Sequence, residues 1–148
     1  MSSTWFAAVL ASAAGLGGAV QIAVQGRLAD RVGSLEAVAT ASLIGGVIAL
    51  AVLFVARRSL AGVGDALGSP KWMLLGGFMS ALIILAITVA GPRIGIVATT
   101  AVLIAAQFTL ATAIDRFGWF GVERIALSWP RALGLAFLAL GAALTLRR

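Results

Sequence analysis

The sequence contains no cysteine and no histidine, and only 11% of its 148 residues are charged. Without cysteine there is neither a disulfide framework nor a thiol site. With histidine missing as well, the usual transition-metal ligands are gone, so no metal site is expected. No Gly-rich nucleotide loop followed by Lys occurs, and no nucleophile, base and orienting acid can be argued as a triad. Neither enzymatic activity nor a cofactor is therefore expected. Repeats of fixed period and low-complexity segments are also missing. The N-terminal "MSSTWFAAVL" lacks a basic region ahead of its apolar run, so it reads as a first membrane span and not as a cleaved leader.

What the chain does have is apolar surface. Hydrophobic residues make up 61% of it, too many for a soluble domain with a polar exterior. They fall into five windows, 5–24, 36–56, 72–90, 95–114 and 129–146. At ~1.5 Å per residue they match a hydrocarbon core of ~30 Å with little to spare, the fifth being the shortest. Lipid offers no partner to unpaired backbone groups, so each window must be helical. The expected fold class is an all-α integral membrane protein: one transmembrane domain, residues 1–148, built as a bundle of five helices.

Five spans place the loops alternately on the side of the N-terminus, here the near side, and on the opposite, far side. The near side holds Arg57, Arg58, Lys71, Arg116, Arg124 and Arg131; the far side holds Arg27, Arg31, Arg93, Arg147 and Arg148. Six against five gives the insertion machinery almost no preference. A chain free to insert both ways can pair with its own inverted copy and so make, from two chains, the inverted repeat that many transporters encode in one. The alternative is that a one-charge difference or a partner protein fixes a single orientation. The net charge of +6 is accounted for by lipid headgroups and topology, and no nucleic-acid partner is expected. Trp5, Trp72, Trp119 and Trp129 all fall at near-side helix ends, where amphipathic rings favour the headgroup level.

Stripes along the helices nominate residues for packing and for a site. On the first helix Ala7, Ala11, Ala14, Gly18, Gln21 and Gln25 fall within about 80° of one another. The small members permit close helix approach. The two amides require either an interhelical partner or a wet cavity. In the second helix Ser34 is a plausible cap, and Glu36 stands in the first turn, where the helix dipole stabilises a carboxylate. Glu36 shares a face with Thr40 and is a candidate for proton coupling. Small residues recur at Ser42, Gly45 and Ala49 and again at Gly76, Gly77, Ser80 and Ala81. "AGPRIG", residues 90–95, predicts a tight turn at Gly91 and Pro92. On the fourth span Thr100, Gln107 and Ala111 align, and Gln107 is a mid-membrane amide that needs a partner or water. Gly134, Leu138, Gly141 and Thr145 form a contact face on the last helix, within or between chains. Asp115 closes the fourth span where the dipole is already negative, and needs an arginine nearby.

The segment "QGRLADRVGSLEAVATASLIGG" (25–46) resembles the loop and second helix of the YdcZ-like proteins, five-helix single-repeat members of the drug/metabolite transporter superfamily. So do "KWMLLGGFMSA" (71–81), "GPRIGIVATT" (91–100), and above all "AIDRFGWFG" (113–121) followed by "RALGLAFLALGAAL" (131–144). The chain departs from them at Gly26, where family members commonly carry Asn. The resemblance implies a helical bundle, related to transporters with two inverted five-helix halves, and therefore a homodimer here. It places the chain in the bacterial cytoplasmic (inner) membrane as a multi-pass protein.

The expected function is that of a small secondary transporter of the drug/metabolite type, working by alternating access in an antiparallel, dual-topology dimer. Its partners would be membrane lipid, a small-molecule substrate and a second copy of the chain. Substrate-binding candidates are Gln21, Gln25, Thr40, Thr100 and Gln107. Asp115 is assigned to a structural ion pair with one of the near-side arginines, and Gly18, Gly134 and Gly141 to helix or dimer packing. Small multidrug relatives use a carboxylate deep in the first helix; this chain has none, and its amides suit a neutral, zwitterionic or amphipathic metabolite. A dual-topology ion channel and a non-transporting subunit of a larger complex are the rival readings.

Overall fold

Gly33, Gly95 and Gly118, each with positive φ, mark three of the breaks between helical segments, and Arg58, also left-handed, marks a fourth. The computed structural model describes residues 2–147, so Arg148, counted above on the far side, lies outside the described residues. Among the described residues six helices follow in order: α1 Ser2–Val32, α2 Ser34–Arg57, the short α3 Ala61–Leu67, α4 Leu75–Ile94, α5 Ile96–Phe117 and α6 Trp129–Leu146. A 3₁₀ turn, Lys71–Leu74, leads into α4, and another, Trp119–Gly121, follows α5. All but α3 are long and apolar enough to cross a membrane.

The helices overrun the apolar windows because hydropathy marks the lipid and not the cap. α1 is 31 residues long, ~46 Å against a ~30 Å core. Arg27, Asp30 and Arg31 therefore belong to its final turns and not to a loop. The chain then reverses at one residue, Gly33, with φ 99° and ψ 154°. Only glycine adopts that conformation readily. Because the corner takes one residue, Ser34 is already inside α2, and Gly33 stands at the N-cap with no side-chain bond. The expected serine cap is thus replaced by a glycine corner.

The predicted turn at Gly91 and Pro92 is also displaced. α4 runs through Pro92 to Ile94, and the reversal falls at Gly95, φ 87° and ψ 160°. Proline disfavours helix at the preceding residue partly by colliding with its Cβ. Gly91 has none, so the helix passes. The two corners match: Arg31-Val32-Gly33 and Arg93-Ile94-Gly95 share their angles, and Ala37 N–H donates to the Gly33 carbonyl at 3.0 Å as Thr99 N–H donates to that of Gly95 at 3.0 Å. This recurrence is two short Arg-apolar-Gly signals far apart in sequence, with no regular period between them.

The chain divides into two compact units, Met1–Val20 with Arg93–Arg148, and Gln21–Pro92. In the second, packing gathers beside the Gly33 corner, where Ile22, Gln25, Gly26, Ala37, Ile87, Thr88 and Gly91 are buried. A Cβ at Gly91 would lie 2.8 Å from Ile22 Cγ2, and one at Gly26 would lie 3.1 Å from Pro92 Cγ. These two glycines let the C-terminal halves of α1 and α4 cross closely. The contact gives Gly26 a physical reason, since an asparagine there would have to displace the Pro92 ring. In the first unit α5 packs along α6, with Ala98, Thr99 and Ala142 buried. Leucines, valines and phenylalanines cover the outside of both units, as expected where lipid takes the place of water.

Candidate functional site

Two faces with the same spacing build a cavity that lies within the first unit. α5 contributes Ile96, Val97, Thr100, Ala101 and Ile104, and α6 contributes Phe137, Leu138, Gly141, Ala142 and Thr145; Ala19 of α1 completes the wall. Each helix thus offers positions i, i+1, i+4, i+5 and i+8, one continuous helical stripe. The cavity measures about 500 Å³, within the ~300–1,000 Å³ typical of small-molecule sites. Its only polar side chains are Thr100 and Thr145. Both hydroxyls donate to their own helix, Thr100 to the Ile96 carbonyl at 2.9 Å and Thr145 to that of Ala142 at 2.8 Å.

The amides singled out in the sequence meet different surroundings. Gln25 is buried, and its Nε2 donates to the Ala37 carbonyl at 2.8 Å, tying α1 to α2. Gln21, one turn earlier on the same stripe, is exposed, as is Gln107. Among the described residues neither has a side-chain hydrogen bond. Thr40 is exposed and donates to the Glu36 carbonyl at 2.8 Å. The Glu36 carboxylate folds back over Gly33 and fills the space a side chain there would need, which holds it at the positive end of α2.

Of the substrate-binding candidates, Thr100 alone lines this cavity, together with Gly141 from the packing set. An added Cβ at Gly18, Gly134 or Gly141 would meet nothing within 4 Å, so these glycines hold open space in the chain itself. Most of the wall was missed by sequence reasoning because its residues are ordinary membrane aliphatics. The paired i, i+4, i+8 rows on α5 and α6 are the signal that could have found it. A second, more polar depression of about 650 Å³ lies at the near-side end of α2, bounded by Arg57, Ser59 and Asp65.

Asp115 stands opposite Arg131, with Nη1 3.5 Å from Oδ2 and both side chains about two-fifths exposed, at 38% and 43%. Each is misplaced on its own helix: a carboxylate in the last turn of α5, a guanidinium in the first turn of α6. Because the helices are antiparallel neighbours, each charge also lies beside the favourable dipole end of the other. The following loop is fastened by the Ile125 N–H, which donates to the Asp115 carbonyl at 2.9 Å. A half-exposed pair contributes about 1 kcal/mol or less, not the ~3–5 kcal/mol lost when a buried pair is broken. Asp115→Asn should therefore lower stability in detergent by less than about 1 kcal/mol, and the loss should shrink as salt is added. A larger, salt-independent loss would mean the pair is buried in the assembled protein.

Against this geometry, residues 6–144 match the family described as "Putative inner membrane exporter, YdcZ". The chain belongs to the YdcZ family. The match covers nearly its whole length, including both glycine corners, the α5–α6 cavity except Thr145, and the Asp115 turn. No curated protein and no solved structure shows significant similarity. Membership places this YdcZ protein in the inner membrane as a multi-pass chain of exporter type, in accord with its five spans.

Proposed function

We propose that this YdcZ protein is a secondary transporter of the drug/metabolite superfamily, forming a single transmembrane domain and working by alternating access as an antiparallel homodimer of two oppositely inserted copies. The observation that carries this reading is the near balance of positive charge, six residues on the near side and five on the far side. It removes the usual reason for one orientation to win. Gln107 supports a second subunit. It is an exposed amide close to mid-span without a partner among the described residues, and hydrocarbon does not satisfy an amide. In the dimer Gln21, Thr40, Thr100 and Gln107 are the substrate-facing polar set, Glu36 is the proton-coupling group, and Gly18 and Gly134 admit the neighbouring helices; Gln25 serves α1–α2 packing and Gly141 the cavity wall.

The test is orientation. Reporters fused to the C-terminus should reveal cytoplasmic and external populations of the same chain. Three lysines added at either end should collapse them to one, and co-expression of two oppositely biased variants should restore transport that neither supports alone. A wild-type chain found wholly in one orientation overturns the self-paired dimer.

A further inference from the structure

The cavity between α5 and α6 has a chemistry that the polar set above does not describe. Its walls are aliphatic apart from Phe137 and the two threonines, whose hydroxyls are already spent on their own backbones. Apart from the acceptor lone pairs of these two hydroxyls, nothing inside it calls for a polar ligand group. It follows α5 for the eight steps from Ile96 to Ile104, ~12 Å at 1.5 Å each, or most of one leaflet of a ~30 Å core. One end is thus at the membrane surface and the other near the midplane.

The surface end is basic. Arg93 lies in the last turn of α4, just ahead of the Gly95 corner from which Ile96 starts. Arg147 follows α6 two residues beyond Thr145. Both are exposed, and neither has an ion-pair partner among the described residues. The acidic residues of this unit, Asp115 and Glu123, belong to the opposite, near-side end of its helices. The groove therefore combines an apolar trough one leaflet deep with two exposed cations that adjoin in sequence the surface ends of its own walls.

We infer that this groove binds the hydrocarbon body of a single-chain amphipathic anion, with its acidic head held at the surface by Arg93 and Arg147. Cavity volume and charge complementarity both favour that occupant. The inference deepens the transporter reading by giving the substrate class, and it rests on that reading. Binding and orientation are measured separately, so either can fail while the other stands.

The experiment uses the full-length chain in nanodiscs of phosphatidylcholine, with Phe137→Trp as reporter; Phe137 lines the groove but is itself exposed, so the larger ring can be accommodated. No native tryptophan is among the residues that line it. Titration with ω-bromodecyl sulfate should quench the new tryptophan saturably. ω-Bromodecyltrimethylammonium, with the same tail and the opposite charge, should need roughly tenfold or more of its membrane concentration, given the attraction expected of two arginines. Arg93→Gln with Arg147→Gln should bring the two probes to parity. Gly141→Leu, which projects into open space, should abolish saturable quenching without unfolding the protein. Quenching that is linear in probe, equal for both charges in the parent, or untouched by Gly141→Leu would overturn the inference. So would equal quenching by brominated phosphatidylglycerol, which would make the groove a lipid site, or loss of anion binding on dimerisation, which would make it a bed for the second copy's helix.

Discussion

Replacing Gly91 by alanine should destabilise the protein by about 1–3 kcal/mol, the range for forcing extra volume into a filled contact. The new Cβ would stand 2.8 Å from Ile22 Cγ2 and 3.5 Å from the Ile22 carbonyl oxygen. Only the first of these is a collision. Cγ2 is fixed directly to the branched Cβ of Ile22 and cannot swing clear as the tip of a long side chain would. The same alanine restores the clash that proline imposes on the residue before it, so part of the cost is local to α4. Unfolding in mixed micelles of increasing denaturing detergent measures the loss. Introducing Gly91→Ala into an Ile22→Ala background should recover the collision and leave the pre-proline part, a coupling that a double-mutant cycle isolates. Wild-type stability for Gly91→Ala would mean that α1 and α4 do not cross at these residues.

Gly118→Ala should cost on the order of 2–4 kcal/mol, because two penalties combine at one position. Gly118 caps α5 at φ 65°, ψ 35°, and left-handed backbone costs a residue with a Cβ roughly 1–2 kcal/mol. In addition, a Cβ there would lie 2.7 Å from Arg124 Cγ and 3.2 Å from the Val122 carbonyl oxygen. Gly121 supplies the control. It too has positive φ, at 79°, but nothing lies within 4 Å of its Cβ position, so Gly121→Ala should cost only the backbone term. The difference between the two substitutions measures the collision, and Arg124→Ala should reduce it. Equal losses at both glycines would show that Arg124 does not lie across the end of α5. Phe120, a non-glycine at φ 61°, shows that this turn already carries left-handed strain. Phe117 and Trp119 brace it by stacking 5.5 Å apart.

These glycines link the fold to the proposed transport cycle. Alternating access needs helices joined so that they can reorient as units, and α1–α2 and α4–α5 are each joined through one glycine of the same conformation. Gly33 and Gly95 hold their corners by backbone geometry, whereas Gly26 and Gly91 act by closeness of approach. A substitution at either kind of site changes packing near the corners without touching a polar group. Loss of transport after such a change would not by itself locate a substrate contact.

Much of the architecture follows from composition alone. With 61% hydrophobic residues and 11% charged, the chain has to satisfy its backbone internally in lipid, which makes every span a helix. The last span begins at Trp129 and ends at Leu146 in both readings, because Pro130 fits the first turn of a helix and the apolar run closes on Arg147. The charge balance and the need of Asp115 for an arginine are likewise local facts. Which arginine it meets depends on the antiparallel packing of α5 on α6, and four other near-side arginines were equally eligible by sequence.

Tertiary structure decided whatever turned on the identity of a neighbour. Gln21 and Gln25 share a stripe and a chemistry, yet one is exposed and the other is buried against the Ala37 carbonyl, because only the second lies where α2 returns past α1. "AGPRIG" reads as a turn because proline disfavours helix before it; Gly91, without a Cβ, lets the helix run on to Ile94, and that Ile22 and Gly26 lie against this stretch is visible only in the packing. The α5–α6 cavity had no sequence signature beyond spacing, because alanine, valine and isoleucine look the same whether they face lipid, another helix or a ligand. Periodicity assigns residues to a face of a helix, and only packing determines what that face meets.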